Sequence, residues 1–170
     1  MSISDLILHR VSIGMLFPIL PRAAGGATRR AMFVSEDIWS LLSIEHQDDD
    51  MEERLGILQA DLELFAGGQP IDPKYLFLLY PADEGVWEIR SVRPSPSIRI
   101  LGFFAAKDVF IATNMALREN LGGWESREWK DVKRLARTRW AHLFHTYQPL
   151  KSTDVRNLVT GAINGKYFKT

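Results

Sequence analysis

Residues 86–114 read VWEIRSVRPSPSIRILGFFAAKDVFIATN, and no other stretch limits the fold so sharply. Period-two alternation over residues 86–92 puts Trp87, Ile89 and Ser91 on one side of a strand and Glu88, Arg90 and Val92 on the other. Pro94 and Pro96 cannot sit in a central ladder, so residues 93–97 form a turn. Two more apolar strands follow, residues 98–104 and 108–114, with a break at 105–107. Three strands with short connections predict an antiparallel meander. Arg90 and Arg99 interrupt these apolar strands, and a charge placed mid-strand must be paired or put to use.

Register decides whether the two arginines cooperate. A four-residue turn at 94–97 pairs Arg93 with Ile98, Val92 with Arg99 and Arg90 with Leu101. Trp87, Ile89, Ile98, Ile100 and Phe104 then share one apolar face. Arg90 and Arg99 lie diagonally on the other face, roughly 7–8 Å apart. A one-residue slip would place one arginine beside Trp87 and Ile89, where burial opposes it.

The rest of the chain supplies helices to cover this sheet. Residues 1–28 mix an apolar run with Pro18, Pro21 and Gly25-Gly26, and read as an irregular N-terminal extension. Asp5 ahead of the run, Arg10 as its sole leading cation and the two prolines argue against an export signal, and the run is too short to span a membrane. Residues 31–34 suit a strand. Ser35 offers an N-cap to a helix through Ile38, Trp39, Leu41 and Leu42. A second helix, residues 51–65, carries Leu55, Leu58, Leu62 and Phe65 at helical spacing and ends at Gly67 and Gly68, completing an αα-hairpin.

Residues 70–81 connect the hairpin to the meander, with an apolar segment at 75–80 that must touch the core. Ser126 caps the longest helix, about residues 127–147, whose stripe is Trp129, Val132, Ala136, Trp140, Leu143 and Phe144. A short helix is expected over 153–163. The expected class is therefore α+β, with one domain over residues 29–149 and extensions at 1–28 and 150–170.

A chain of 170 residues buries one core without staples. It contains no cysteine, which excludes disulfides, thiolate zinc sites and cysteine nucleophiles and suits a reducing cytosol. The formal net charge is zero, yet residues 1–85 hold 6 Lys+Arg against 14 Asp+Glu and residues 86–170 hold 15 against 7. Either the halves neutralise each other across an internal interface or the second half presents a basic face to an anionic partner.

VWEIRS, then IRI, then DVFIATN, in the order β, α, α, β, β, β, α, resembles the phage-derived branch of the RelE/ParE/HigB superfamily, the toxins of type II toxin–antitoxin modules. The resemblance covers about residues 30–147. It implies an antiparallel sheet flanked by an αα-hairpin and a C-terminal helix. For RelE-like members it implies metal-independent, ribosome-dependent cleavage of messenger RNA, a cytoplasmic location and a cognate antitoxin, expected to be a helix-turn-helix protein. By position, Arg90 and Arg99 match the basic residues of the two motif strands, and Arg118 lies where a basic pair often follows the last strand. The chain departs from the pattern at NMALREN, which has Ala116 and Leu117 in place of lysines.

Such cleavage needs a base, an acid and positive charge on the phosphate. Arginine suits the last role because its planar fork stays charged and grips phosphate bidentately. Arg90, Arg99 and Arg118 are the candidate stabilisers. His142, His145, Tyr147 and Glu88 are the candidate acid and base. The alternative for the arginines is pairing with Glu88 or with acids of the helical hairpin, and for the histidines a dipole contact at the helix end.

Arg93, Lys107, Lys130, Lys133, Arg134 and Arg137 are candidates for an RNA backbone, and the helix face between Arg127 and Arg139 would equally suit an acidic antitoxin or solvent. The acidic run 48–53 lacks calcium-loop spacing and stands at a helix N-terminus, so no metal or cofactor is expected. Three readings follow. They are a ribonuclease toxin, a toxin-fold protein that binds RNA, gyrase or a protein without cutting, and an inert interaction protein of a mobile element.

Overall fold

The computed structural model describes residues 1–21, 30–91 and 96–162. Among the described residues four helices and six strands follow in the order α1 (Ile3–Ser12), β1 (Leu16–Ile19), β2 (Ala31–Ser35), α2 (Glu36–Ser43), α3 (Asp49–Ala66), β3 (Leu76–Leu78), β4 (Trp87–Arg90), β5 (Ile98–Ala106), β6 (Val109–Leu117) and α4 (Arg127–Phe144). The class is α+β, with one sheet in the order β1-β2-β6-β5-β4-β3.

The meander expected from the alternation is present as β4, β5 and β6, all antiparallel. The sheet as a whole is mixed, because β2 runs parallel to β6. The expectation of a purely antiparallel sheet is corrected on that pair. A parallel pair needs a long crossover, and the helical hairpin with the meander strands supplies it. The apolar segment near residue 77 forms β3, which extends the meander beyond β4.

The expected irregular extension over residues 1–28 is corrected for residues 1–21, while residues 22–28, with Gly25 and Gly26, lie outside the described residues. Ser2 and Asp5 form a reciprocal capping box that starts α1, and β1 pairs antiparallel with β2. Pro18 fits there because β1 is an edge strand, where a missing N–H breaks no central ladder. The expected helix over 153–163 is also corrected. Among the described residues of that segment only a single 3-10 turn forms, at Val155–Asn157, and Val155, Leu158 and Val159 enter the core from it.

Both faces of the sheet are apolar and covered. One holds Trp87, Ile89, Ile98, Ile100 and Phe104 with Ile38 of α2 and Leu55, Leu58, Leu62 and Phe65 of α3. The other holds Leu101, Phe103 and Ile111 beneath Ile7 of α1 and Trp129, Ala136, Trp140, Leu143 and Phe144 of α4. Gly102 sits where the β5–β6 register shifts, and a Cβ there would lie 2.1 Å from the Ile111 carbonyl oxygen, so only glycine lets the two backbones approach.

Charge ties the acidic and basic parts of the chain together. Arg137 of α4 meets Glu84 at 2.5 Å and Arg139 meets Asp37 of α2 at 2.7 Å. A buried arginine, Arg30, joins three distant segments: its N–H groups donate to the carbonyls of Phe65 (2.9 Å), Gln69 (2.6 Å) and Thr160 (2.8 Å), and the guanidinium lies 5.1 Å from the Phe65 ring centre. Asp108, in the β5–β6 hairpin, accepts from the N–H and hydroxyl of Thr160.

Candidate anion-binding site

Arg90 and Arg99 face each other directly across β4 and β5, with Ile89 opposite Ile100 and Glu88 opposite Leu101. The sequence expectation of a diagonal pair is off by two residues, and the connection at 92–95 lies outside the described residues. A shift of two preserves the faces: Trp87 and Ile89 remain on the α2/α3 side, and Glu88, Arg90 and Arg99 share the α4 side.

Two like charges placed directly opposite repel, and the local structure answers with one carboxylate. Glu88 is fully buried, and its Oε1 lies 2.6 Å from Arg90 Nη2 and 3.7 Å from Arg99 Nη1. Pairing with Glu88, one of the alternatives raised for the arginines, is therefore what the structure contains. Arg90 also lies over the Phe77 ring of β3, 3.8 Å from its centre, a cation–π contact.

Arg99 is the less satisfied of the two. Its side chain is 9% exposed, and neither Nε nor Nη1 has a hydrogen-bond partner among the described residues. Its neighbour on β6 is Ala116, which offers neither charge nor acceptor from its side chain. Burial pushes the Arg99 pKa down, Glu88 pulls it up, and Arg90 and Arg118 push it down again. Arginine stays protonated under such pressure, most of which comes from burial. Arg118 follows β6 and is fixed by its Nη1 donating to the Gly122 carbonyl at 2.9 Å. Three guanidiniums and one carboxylate make a cluster of net positive charge.

The other proposed catalytic groups are not assembled here. His142 lines a cavity of about 280 Å³ with Met15, Ser35, Asp37 and Arg139. His145 and Tyr147 line a second, of about 380 Å³, with Phe103, Arg137 and Lys151. Neither cavity is lined by Glu88, Arg90, Arg99 or Arg118. Phe103 is four residues beyond Arg99 on β5, roughly 13 Å along the strand. His145 ends α4 with φ 44, so the helix stops before residue 147. Tyr147 instead donates its hydroxyl to the Met1 carbonyl.

The basic residues divide in the same way. Lys133 is buried, donating to the Tyr80 carbonyl at 2.6 Å and to Glu125 at 2.9 Å, which corrects its assignment to an RNA-facing surface. Arg137 is held by Glu84. Lys107 and Lys130 are exposed, and Arg134 is exposed with Asp131 at 3.2 Å. Arg93 lies outside the described residues. Ser35 does not cap α2; its hydroxyl bonds Asp37 instead.

Phe77 is the member of the cluster that sequence reasoning missed. A three-residue strand inside a uniformly apolar connection gives almost no periodic signal. Among the described residues no group of three or more His, Cys, Asp or Glu is placed to hold a metal, and no helix is long and apolar enough to cross a membrane. No family model, curated protein or solved structure matches this chain.

Proposed function

We propose that this chain is a toxin-type protein of the RelE class that holds an RNA phosphate on Arg90, Arg99 and Arg118 and acts by binding rather than by histidine-driven cleavage. One observation carries the reading: a buried guanidinium, Arg99, has two N–H-bearing nitrogens without a hydrogen-bond partner among the described residues, beside a second arginine and a single shared carboxylate. A buried donor left unmade costs about 1–3 kcal/mol. A phosphate oxygen offers the acceptors that the planar fork fits, and the excess charge favours an anion. The exposed Arg127, Lys130 and Arg134 on α4 would extend contact along a backbone.

The RelE assignment draws on the strand motifs and on an element order of strand, two helices, meander and helix, in which β1 and β3 are additions at the two sheet edges. A toxin of this kind acts in the cytosol and is held in check by a cognate antitoxin. Glu88 is the one proposed acid or base that touches the arginines, which keeps cleavage as the second reading.

Expression of the native chain should arrest growth with messages intact, and Arg90→Ala with Arg99→Ala should abolish the arrest. Arrest by the double variant would overturn the assignment. Cut messages that become intact with Glu88→Gln would replace binding by cleavage.

A further inference from the structure

Strand β6 outlasts its neighbour on one side. β2 pairs with it only from Ala31↔Val109 to Val34↔Ala112, whereas β6 runs on to Leu117. After Ser35 the chain turns into α2, which packs on the α2/α3 face with Ile38 in the core and Trp39 stacked on Phe17 of β1 at 5.3 Å. Residues 114–117 therefore pair with β5 alone among the described residues.

Backbone alternation says where the spare groups point. Arg118 N donates to the Ser97 carbonyl at 3.1 Å and Ser91 N donates to the Ile98 carbonyl at 3.4 Å, so Ser97 and Arg99 face β6 while Ile98 faces β4. Arg99 and Ala116 are then a hydrogen-bonded pair. Met115 and Leu117, opposite Ile100 and Ile98, turn their N–H and C=O groups away from β5. Thr113 stands level with the end of β2, and its carbonyl accepts from Arg139 at 2.7 Å, the same guanidinium that holds Asp37 of α2. Below that clasp, a row of outward backbone groups is a template for one more strand.

The two faces of that strand position differ. Met115 and Leu117 sit with Leu42 and Met51 at the margin of the α2/α3 core. Ala116 lies on the α4 side, directly opposite Arg99, whose Nε and Nη1 lack hydrogen-bond partners among the described residues. Arg118 follows and is close enough to act on the Arg99 charge. Alanine is too short to screen that charge from the next strand position, about 5 Å further on.

We infer that the open edge of β6 over residues 113–117 takes up an extended segment of another protein in which apolar and acidic residues alternate. Its apolar side chains would cover Met115 and Leu117, and its carboxylates would meet the guanidinium side. A second copy of this chain offers only short edges among its described residues, β1 with Pro18 in it and β3 with three residues. The inference uses the arginines without requiring the phosphate reading.

The test titrates the full chain with labelled, end-blocked hexapeptides and reads anisotropy. The peptides are alternating Val and Glu, alternating Val and Lys, and two Val–Glu peptides N-methylated at every Val or at every Glu. The Val–Glu peptide should bind, and the Val–Lys peptide should bind at least about tenfold more weakly because its cations meet guanidiniums. One N-methylated peptide should also lose at least about tenfold while the other keeps its affinity, since only one set of N–H groups in a strand faces its neighbour. Met115→Pro removes an outward N–H and spares the β5 ladder, so it should lose about tenfold at a native melting temperature. Equal affinity of the two N-methylated peptides, kept or lost, would overturn strand addition, as would native affinity in a folded Met115→Pro. Should Met115→Pro not fold, the N-methylated pair decides alone. Equal binding of the Val–Lys peptide would overturn the acidic occupant, and failure of the native chain to bind any peptide would overturn the whole inference.

Discussion

Two buried arginines in this molecule sit in opposite circumstances. Arg30 donates to the carbonyls of Phe65, Gln69 and Thr160 and lies on the Phe65 ring. Arg99 shares a carboxylate with Arg90, and its Nε and Nη1 lack hydrogen-bond partners among the described residues. Burial alone does not separate structural from functional arginines; the supply of acceptors does. A guanidinium saturated by backbone carbonyls stitches segments together, whereas one left with unused donors beside a second cation is ready for an anion.

The largest effect should come from breaking the saturated site. Arg30→Met strands the carbonyls it serves and uncouples α3 from the C-terminal segment, at a cost of about 3–5 kcal/mol. Thermal unfolding should fall by on the order of 10 °C. An equal loss in Arg99→Met would erase the contrast. Glu88→Gln should come next, since it leaves two guanidiniums without their carboxylate, at about 3 kcal/mol. Inorganic phosphate should restore more of that loss, in thermal shift, than it adds to the native chain.

Arg54→Ala gives a smaller effect. Arg54 is buried and grips Glu119 bidentately at 2.8 and 2.9 Å, but Glu119 is 40% exposed, so screening holds the cost to about 1 kcal/mol. The smallest effect is on pH dependence. The Arg54 hydrogen bond holds the Glu119 carboxyl below its ordinary range. Burial pushes Asp37 up, yet the hydrogen bonds from Ser35 and Arg139 outweigh it and leave that carboxyl low as well. The unfolded chain therefore takes up protons first as pH falls. Their stabilisation is complete above about pH 5 and is lost as pH drops through the ordinary carboxylate range toward the folded values. Urea midpoints across that window should slope less in Arg54→Ala.

Local pattern made much of this legible. Period two placed Trp87 and Ile89 opposite Arg90, and helical spacing found the buried stripe from Trp129 to Phe144. Register was harder, because the turn prolines do not say how much of a loop stays unpaired; the error of two residues preserved the faces and altered the distance. The parallel β2–β6 pairing and the burial of β1 are nonlocal, and no short window contains them. Lys133 shows the same limit: it shares a basic helix with exposed Arg134, and only the arrival of Tyr80 and Glu125 turns it inward.

The most direct test is the affinity of single-stranded RNA measured against salt for the native chain and Arg99→Met. Each phosphate contact contributes about −0.7 to the slope of log K against log salt. Arg99→Met should bind at least tenfold more weakly with a slope shallower by about that amount, while keeping a native melting temperature. An unchanged affinity and slope in a folded Arg99→Met would contradict the assignment of this cluster to a phosphate.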